Sequence, residues 1–276
     1  EEMHNEIIRG THNGKLSVMI NTYKRPVEML EKTIDFYATC PIVASINIVW
    51  SEQRAPPSSI LEKYQSWRTP FVIFKRHYSE SLNNRFLPID KLSFMNHTVT
   101  SSAIFAVDDD ILVPCADLSR ALEVWRGNMK SIVGFIPRLH LRGQDGVLQY
   151  RCWWGVWWHG AYSIILTKAA IFHEKYLHMY SYQMTQNIRD YVDSSRNCED
   201  IAMQFLIANS SQLPPLLIKG HIQDLGVLNG ISTSNNIIKA GHMNARSECL
   251  NKLSEFYADK LPLIKSHVIV DSASNR

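Results

Sequence analysis

The sequence is informative first through what it lacks. No run of apolar residues is long enough to cross a bilayer, which takes about 20 residues in a helix. There is no G-x-G-x-x-G and no G-x-x-x-x-G-K-[ST], which argues against the usual dinucleotide and P-loop sites. No internal repeat and no low-complexity linker divides the 276 residues. Charge of either sign is scarcely in excess: the formal net charge is +3, which gives no argument for nucleic acid. Five cysteines fit either redox compartment. The chain begins at Glu1 rather than Met and reads as the trimmed soluble portion of a longer protein. Two sequons, Asn96-His-Thr98 and Asn209-Ser-Ser211, mildly favour a secretory lumen.

What is present centres on Ala103-Ile-Phe-Ala-Val-Asp-Asp-Asp-Ile-Leu-Val-Pro114. Ala103 to Val107 is a short apolar run, as in a buried parallel strand. It empties into Asp108, Asp109 and Asp110, three like charges that resist burial unless a cation neutralises them. Oxygen donors select a hard divalent ion, Mn2+ or Mg2+, and that ion would in turn hold a diphosphate. Taken alone, the triplet reads equally as a solvated acidic turn.

The first half alternates strand and helix. Strands are expected at Leu16–Ile20, Ser45–Trp50 and Phe71–Phe74, with a helix from Pro26 to about Thr39 and a short one after Ser58. Each strand runs into a polar loop, the pattern of a doubly wound sheet with a nucleotide site along its edge. Further strands are expected at Ile132–Ile136 and Leu216–Lys219. Helices are expected from Asp117 to about Trp125, at about 168–179, 184–194, 199–209 and 243–258, with a mobile loop over 223–241. Residues 1–14 read as a disordered or linker N-terminus, and 15–276 as one catalytic unit with a nucleotide-binding half (15–115) and an acceptor-binding half (116–276).

A second acidic pair, Glu199 and Asp200, opens a helical run, where capping alone would account for it. A functional reading requires that pair to face Asp108–Asp110. Arg25, Arg85, Arg138, His242 and Arg246 supply positive charge beside predicted loops or helix starts, as a diphosphate leaving group needs. His242 and Arg246 share a helix face, a spacing that surface decoration also gives. Seven tryptophans are many, and Trp153, Trp154, Trp157 and Trp158 fall together. Core packing, stacking on bound sugar and contact with a membrane interface all remain open for them.

Several motifs, taken together, resemble those of the exostosin-like glycosyltransferases, glycosyltransferase family 64, whose fold is GT-A. They are Asn21-Thr-Tyr-Lys-Arg25, Val49-Trp50, Leu82-Asn-Asn-Arg85, Val107-Asp-Asp-Asp110, Val133-Gly-Phe-Ile-Pro-Arg138, Asn197-Cys-Glu-Asp-Ile-Ala-Met203, and Arg246 with Cys249-Leu-Asn-Lys-Leu253. They run in family order from about residue 15 to 268. Trp50-Ser-Glu52, Ser81-Leu-Asn-Asn-Arg85 and Trp153–Trp158 resemble the plant branch that glycosylates inositol phosphorylceramides.

The resemblance implies an α/β, Rossmann-like mixed sheet flanked by helices, a DxD-type metal site, and a retaining, metal-dependent transferase using a nucleotide sugar. On it, Asp110 is the metal ligand, and Asp108 and Asp109 lie near ribose and donor sugar. Asn21, Arg25, Ser51, Glu80 and Arg85 hold the nucleotide, and His242 and Arg246 clamp the diphosphate. Asp200 sits beside the anomeric carbon; Glu199, where the family has Asp, is less defined. Trp153, Trp154, Trp157, Trp158 and Tyr162 are assigned to the acceptor, an inositol phosphorylceramide glycolipid at the membrane surface. Cys198 and Cys249 match a family disulfide, and Cys40 and Cys115 are taken as a second pair. Glu80, facing guanine N1–H and N2–H2, points to GDP-mannose as donor. The implied location is the Golgi lumen, as the catalytic part of a type II membrane protein. Alternatives are a UDP-N-acetylhexosamine-dependent sister transferase and, from another class, a metal-dependent nucleotidyltransferase. The latter needs a Gly-rich phosphate loop that Asn21–Arg25 does not supply.

Overall fold

The computed structural model describes residues 14–65, 70–77, 79–89, 93–94, 97–98, 101–228 and 236–272. The four apolar runs of the first half become strands β1 (Leu16–Thr22), β2 (Val43–Trp50), β3 (Phe71–Arg76) and β4 (Ala103–Asp108), all parallel, with β1 between β2 and β4. Their side chains alternate between two buried layers. Val18, Ile20, Phe105 and Val107 face one layer, and Met19, Ile104 and Ala106 face the other. Burial on both faces is why β1, β2 and β4 read as unbroken apolar runs.

Helices α1 (Val27–Ala38) and α3 (Cys115–Arg126) supply Ile34, Tyr37, Leu118 and Trp125 to the first layer; α2 (Ser58–Gln65) supplies Ile60 and Tyr64. The second layer is built by α6 (Glu199–Ser211) and α7 (Asn236–Phe256), through Ala202, Phe205, Leu250 and Leu253. Every residue of α6 from Glu199 to Ala208 is buried, so after the acidic first turn its sequence is apolar on all sides apart from Gln204, whose Oε1 accepts from the Ile165 amide.

The second half extends the sheet. Strands β5 (Val133–Gly134), β9 (Ala169–His173), β10 (Leu216–Lys219) and β11 (Ile269–Asp271) give the order β11-β10-β5-β9-β4-β1-β2-β3. A smaller antiparallel sheet of β6 (Pro137–Arg142), β7 (Leu148–Arg151) and β8 (Ile164–Ile165) lies beside it. This half also carries helices α4 (Trp153–His159) and α5 (Gln186–Ser195), with short helical turns at Lys175–His178 and Met179–Gln183. The expected α/β class, a Rossmann-like mixed sheet flanked by helices, is present.

Two expectations fail. The helix expected from about 168 begins as strand β9, antiparallel to both β4 and β5. Ala169-Ala-Ile-Phe172 has helix-forming alanines, but pairing in the middle of the sheet overrides propensity. Gly134 permits that pairing, because a Cβ there would lie 2.5 Å from the Ala169 carbonyl oxygen. The span expected as a loop, 223–241, carries regular structure: Gln223–Asp224 pairs with Ile111–Leu112, a 3-10 turn covers Leu225–Leu228, and α7 already starts at Asn236, while residues 229–235 lie outside the described residues. Residues 1–13 and Asn96 of the first sequon lie outside the described residues; Asn209 is exposed in the last turn of α6. No helix among the described residues is long and apolar enough to cross a membrane.

Candidate functional site

The Asp108–Asp110 turn leaves the C-terminal end of β4, beside Asn21 of β1. The backbone around it is pinned from α1. Thr33 Oγ1 donates to the Asp109 carbonyl at 2.6 Å, and Tyr37 donates to the Ile111 carbonyl at 2.9 Å while accepting from the Val113 amide at 3.1 Å. A disulfide between Cys40 and Cys115 ties the end of α1 to the start of α3. The turn therefore presents its three carboxylates in fixed and different directions.

Asp109 points inward. Its carboxylate accepts from Thr22 Oγ1 at 2.6 Å and lies 3.5 Å from Arg25 Nε. Burial pushes its carboxyl up to about 7, the Thr22 hydrogen bond opposing. At 3 % exposure Asp109 braces the turn. Asp110 takes Arg25 Nη2 at 2.8 Å. Burial, then the charge on Asp108, raises its carboxyl above the ordinary range.

The segment after β10 closes on Asp110 from the far side. Leu225 N–H donates to the Asp110 carbonyl at 2.7 Å, and Asp224, paired with Lys168 at 3.2 Å, accepts from Gly226 N–H. A Cβ on Gly226 would lie 2.2 Å from Asp110 Oδ2. Gly226→Ala should therefore displace the carboxylate and lower metal-dependent nucleotide affinity about tenfold or more, with little change in melting temperature. Calorimetric titration of nucleotide with and without Mn2+ checks this.

The second acidic pair does face the first, and one guanidinium joins them. Arg85, in the 3-10 turn Leu82–Phe86, bonds Asp108 Oδ1 through Nη2 at 2.8 Å and Glu199 Oε1 through Nη1 at 3.0 Å. Arg246 bonds both oxygens of Asp200, at 2.8 and 2.6 Å, and reaches toward the Tyr150 hydroxyl at 3.5 Å. Burial opposes ionisation of Asp200, but the charge and hydrogen bonds of Arg246, with Arg85, outweigh it and hold the carboxyl below its usual range. Glu199 goes the other way: burial and the neighbouring Asp200 charge raise it against Arg85. Adjacent carboxyls pushed apart in this way can serve different roles.

His242 Nε2 accepts from Arg246 Nε at 3.2 Å, and burial with the Arg246 charge lowers the imidazole pKa. With Nε2 accepting, the ring proton sits on Nδ1.

The Asp200–Arg246 geometry is held by a disulfide between Cys198 and Cys249, one turn along α7 from Arg246. Cys198 itself is at φ 79°, capping α6. Cys198→Ser with Cys249→Ser should cost about 4 kcal/mol for a closed loop of this length, given a sequence separation of 51. Chemical denaturation of the two forms checks this, and transfer should fall further than the lost stability alone requires.

Ser51 accepts from Asn84 Nδ2 at 3.2 Å, and Glu80 accepts from the Tyr23 hydroxyl at 2.5 Å beside Lys24. The Tyr23 hydrogen bond, then the Lys24 charge, lowers the Glu80 pKa against slight burial. Tyr162 is corrected: it is 1 % exposed, donates to the Val268 carbonyl and accepts from the Leu217 amide at 2.9 Å, so it is a structural residue. For the tryptophans, left open between core packing, sugar stacking and a membrane interface, the structure removes the first: all four of α4 are more than half exposed. Thr22, Tyr150, Asp224 and Gly226 were not singled out from the sequence. Only proximity in the fold marks them, although Gly226 lies two residues after Asp224 in the span expected to be a mobile loop.

Among the described residues no group of three or more His, Cys, Asp or Glu side chains gathers as a metal cage. The donor set still fits a hard divalent ion. Such ions are commonly held by one or two carboxylates, with phosphates and water completing the shell. Asp110, under-compensated beside Asp108 and Asp224, offers such a carboxylate.

Compared with known proteins, a model described as "Glycosyl transferase family 64 domain" matches residues 16–274. The chain belongs to that family. A family 64 relative from Arabidopsis thaliana, glycosylinositol phosphorylceramide mannosyl transferase 1, is 38% identical over 270 residues, 93% of this chain and 76% of its own. Glucosamine inositolphosphorylceramide transferase 1 of the same plant is 30% identical over 89% of this chain, which spans 30% of that protein. Human exostosin-2 is 31% identical over 87% of this chain and 32% of its own length. A crystal structure of GalNAc-T7 with UDP, GalNAc and Mn2+ is similar at a TM-score of 0.45 and 8% identity, over 70% of this chain and 40% of that one. As a family 64 member the chain is a glycosyltransferase.

Proposed function

We propose that this glycosyltransferase moves mannose from GDP-mannose to a glucuronosyl inositol phosphorylceramide, with retention at the anomeric carbon, in the Golgi lumen. The observation that carries the reading is the Arg85 bridge, which sets the Asp108–Asp110 turn and the Glu199–Asp200 pair on opposite sides of one buried cation. Two relatives named for inositol phosphorylceramide support the acceptor, and the name of the Arabidopsis mannosyl transferase supports the sugar.

Asn21, Ser51 and Glu80 lie at or just beyond strand ends, where open α/β sheets bind ligands. Glu80, ionised and only partly covered, can accept from the guanine N1–H and N2–H2 edge. Asp110 would hold Mn2+ or Mg2+ together with the donor diphosphate. When bound, that ion supplies electrostatic neutralisation of the departing GDP. Arg25 and Arg246 are both within reach of carboxylates in the free protein and would share their charge with phosphate oxygens. Asp200, kept ionised, faces the positive charge that develops at the anomeric carbon. It acts either by stabilising that charge through front-face attack or by a brief covalent adduct.

Mass spectrometry of products formed with GDP-mannose and with UDP-N-acetylglucosamine, on the same purified acceptor lipid, tests the reading. A hexose-extended lipid from GDP-mannose alone is expected. An N-acetylhexosamine product in its place would move the chain to the UDP-dependent sister reaction.

A further inference from the structure

We propose that α4 and the chain beside it form a membrane-docking surface that seats on a bilayer carrying anionic lipid. The observation is the display of Trp153, Trp154, Trp157 and Trp158 at 53, 59, 67 and 77 % exposure on a seven-residue helix. Large aromatics are ordinarily buried, and four exposed together are a patch that demands an occupant. They do not scatter: Trp153 stacks on Trp154 at 4.0 Å and Trp157 lies edge-on to Trp154 at 6.0 Å, all outside the core. The patch continues into the chain before β11. His267 Nδ1 bonds the Gly160 carbonyl at the end of α4, and Val268 and Ile269 are each 55 % exposed.

The charge around this patch selects the occupant. From Gly146 to His173 the sequence contains no Asp or Glu, and from Lys260 to Val270 there is again none. Arg151 lines the same cavity of about 580 Å³ as Trp154, Trp157 and Trp158. Arg142 and Lys265 both act on His140 of β6, the strand against which α4 packs. Indole rings with Arg151 beside them, and no carboxylates in either stretch of sequence, match the interfacial layer of a bilayer with negative headgroups. A protein partner would also take the rings, but it gives no reason for removing the acids.

The position of the patch gives the docking a purpose. Met243 lines the cavity and adjoins His242, and Tyr150, which approaches Arg246, lies just before Arg151 and the helix. Seating α4 in the interface brings the Asp200–Arg246 pair close to the headgroup layer, where a lipid-borne acceptor would be. The inference shares with the proposed function a lipid acceptor, and it stands apart from the donor.

Vesicle co-sedimentation tests it, with phosphatidylcholine alone and phosphatidylcholine containing phosphatidylinositol, together with quenching of tryptophan fluorescence by brominated lipid. The chain should bind the anionic vesicles, be quenched there, and dissociate as salt rises. Trp157→Ser with Trp158→Ser should weaken binding at least about tenfold, and Arg151→Gln by about fivefold. GDP binding should stay unchanged in both variants, which separates this outcome from any failure of the donor reading. Undiminished vesicle binding by the double variant overturns the proposal. So does absence of vesicle binding at low salt, with sedimentation velocity instead revealing a dimer that the double variant dissociates.

Discussion

Asp200→Asn should abolish transfer, by roughly three orders of magnitude or more, the scale seen when a group facing the reacting centre is removed, while nucleotide affinity changes little. The substitution preserves shape and leaves an amide oxygen to accept from Arg246, which now bonds both carboxylate oxygens at 2.8 and 2.6 Å. What disappears is the negative charge that Arg246 keeps in place against burial. Loss of part of a charge-assisted hydrogen bond costs about 1–3 kcal/mol of stability, so the variant should fold. Isothermal titration for nucleotide and radiolabel transfer for activity separate the two effects. Undiminished transfer would remove Asp200 from the mechanism; lost nucleotide binding would make it part of the donor clamp.

Replacement of Arg85 should be the most damaging change to the fold that starts in the site. Arg85 is 6 % exposed and is the shared cation of Asp108 and Glu199. Arg85→Ala leaves Glu199 buried beside Asp200 with its direct partner gone. Breaking a buried pair typically costs about 3–5 kcal/mol, and the lower end applies because Asp108 is partly open to solvent. Arg85→Lys keeps the charge but lacks the planar fork that reaches both carboxylates. It should recover part of the stability and little of the activity. Chemical denaturation and transfer assays on both variants test this; equal stability of Arg85→Ala and the parent would show the bridge to be incidental.

Much of the first half of the chain was legible because β1, β2 and β4 are buried on both faces and read as apolar runs that end in polar loops. The acidic turn after β4 was legible for the same reason: three carboxylates following a fully buried strand have few places to go. Strand β9 was not, since Ala169-Ala-Ile-Phe172 carries no alternation and its pairing with β4 is decided far away in sequence. The Arg85 bridge was beyond reach of spacing arguments, because its partners lie 23 and 114 residues away. Tyr162 was misread as facing an acceptor, and the tryptophans stayed undecided between core and surface. Composition cannot say which aromatics the sheet covers, and here it covers Tyr162 and leaves α4 outside. Asp109 could not be told from its neighbours until Thr22 was seen to hold it inward.

The most direct test of the account is calorimetric binding of GDP and of UDP, each with and without Mn2+. The account predicts that GDP binds more tightly than UDP, that the tight binding needs the metal, and that Asp110→Ala removes the metal's effect while Asp200→Asn does not. Tighter binding of UDP, or GDP binding that is the same with and without Mn2+, would contradict it.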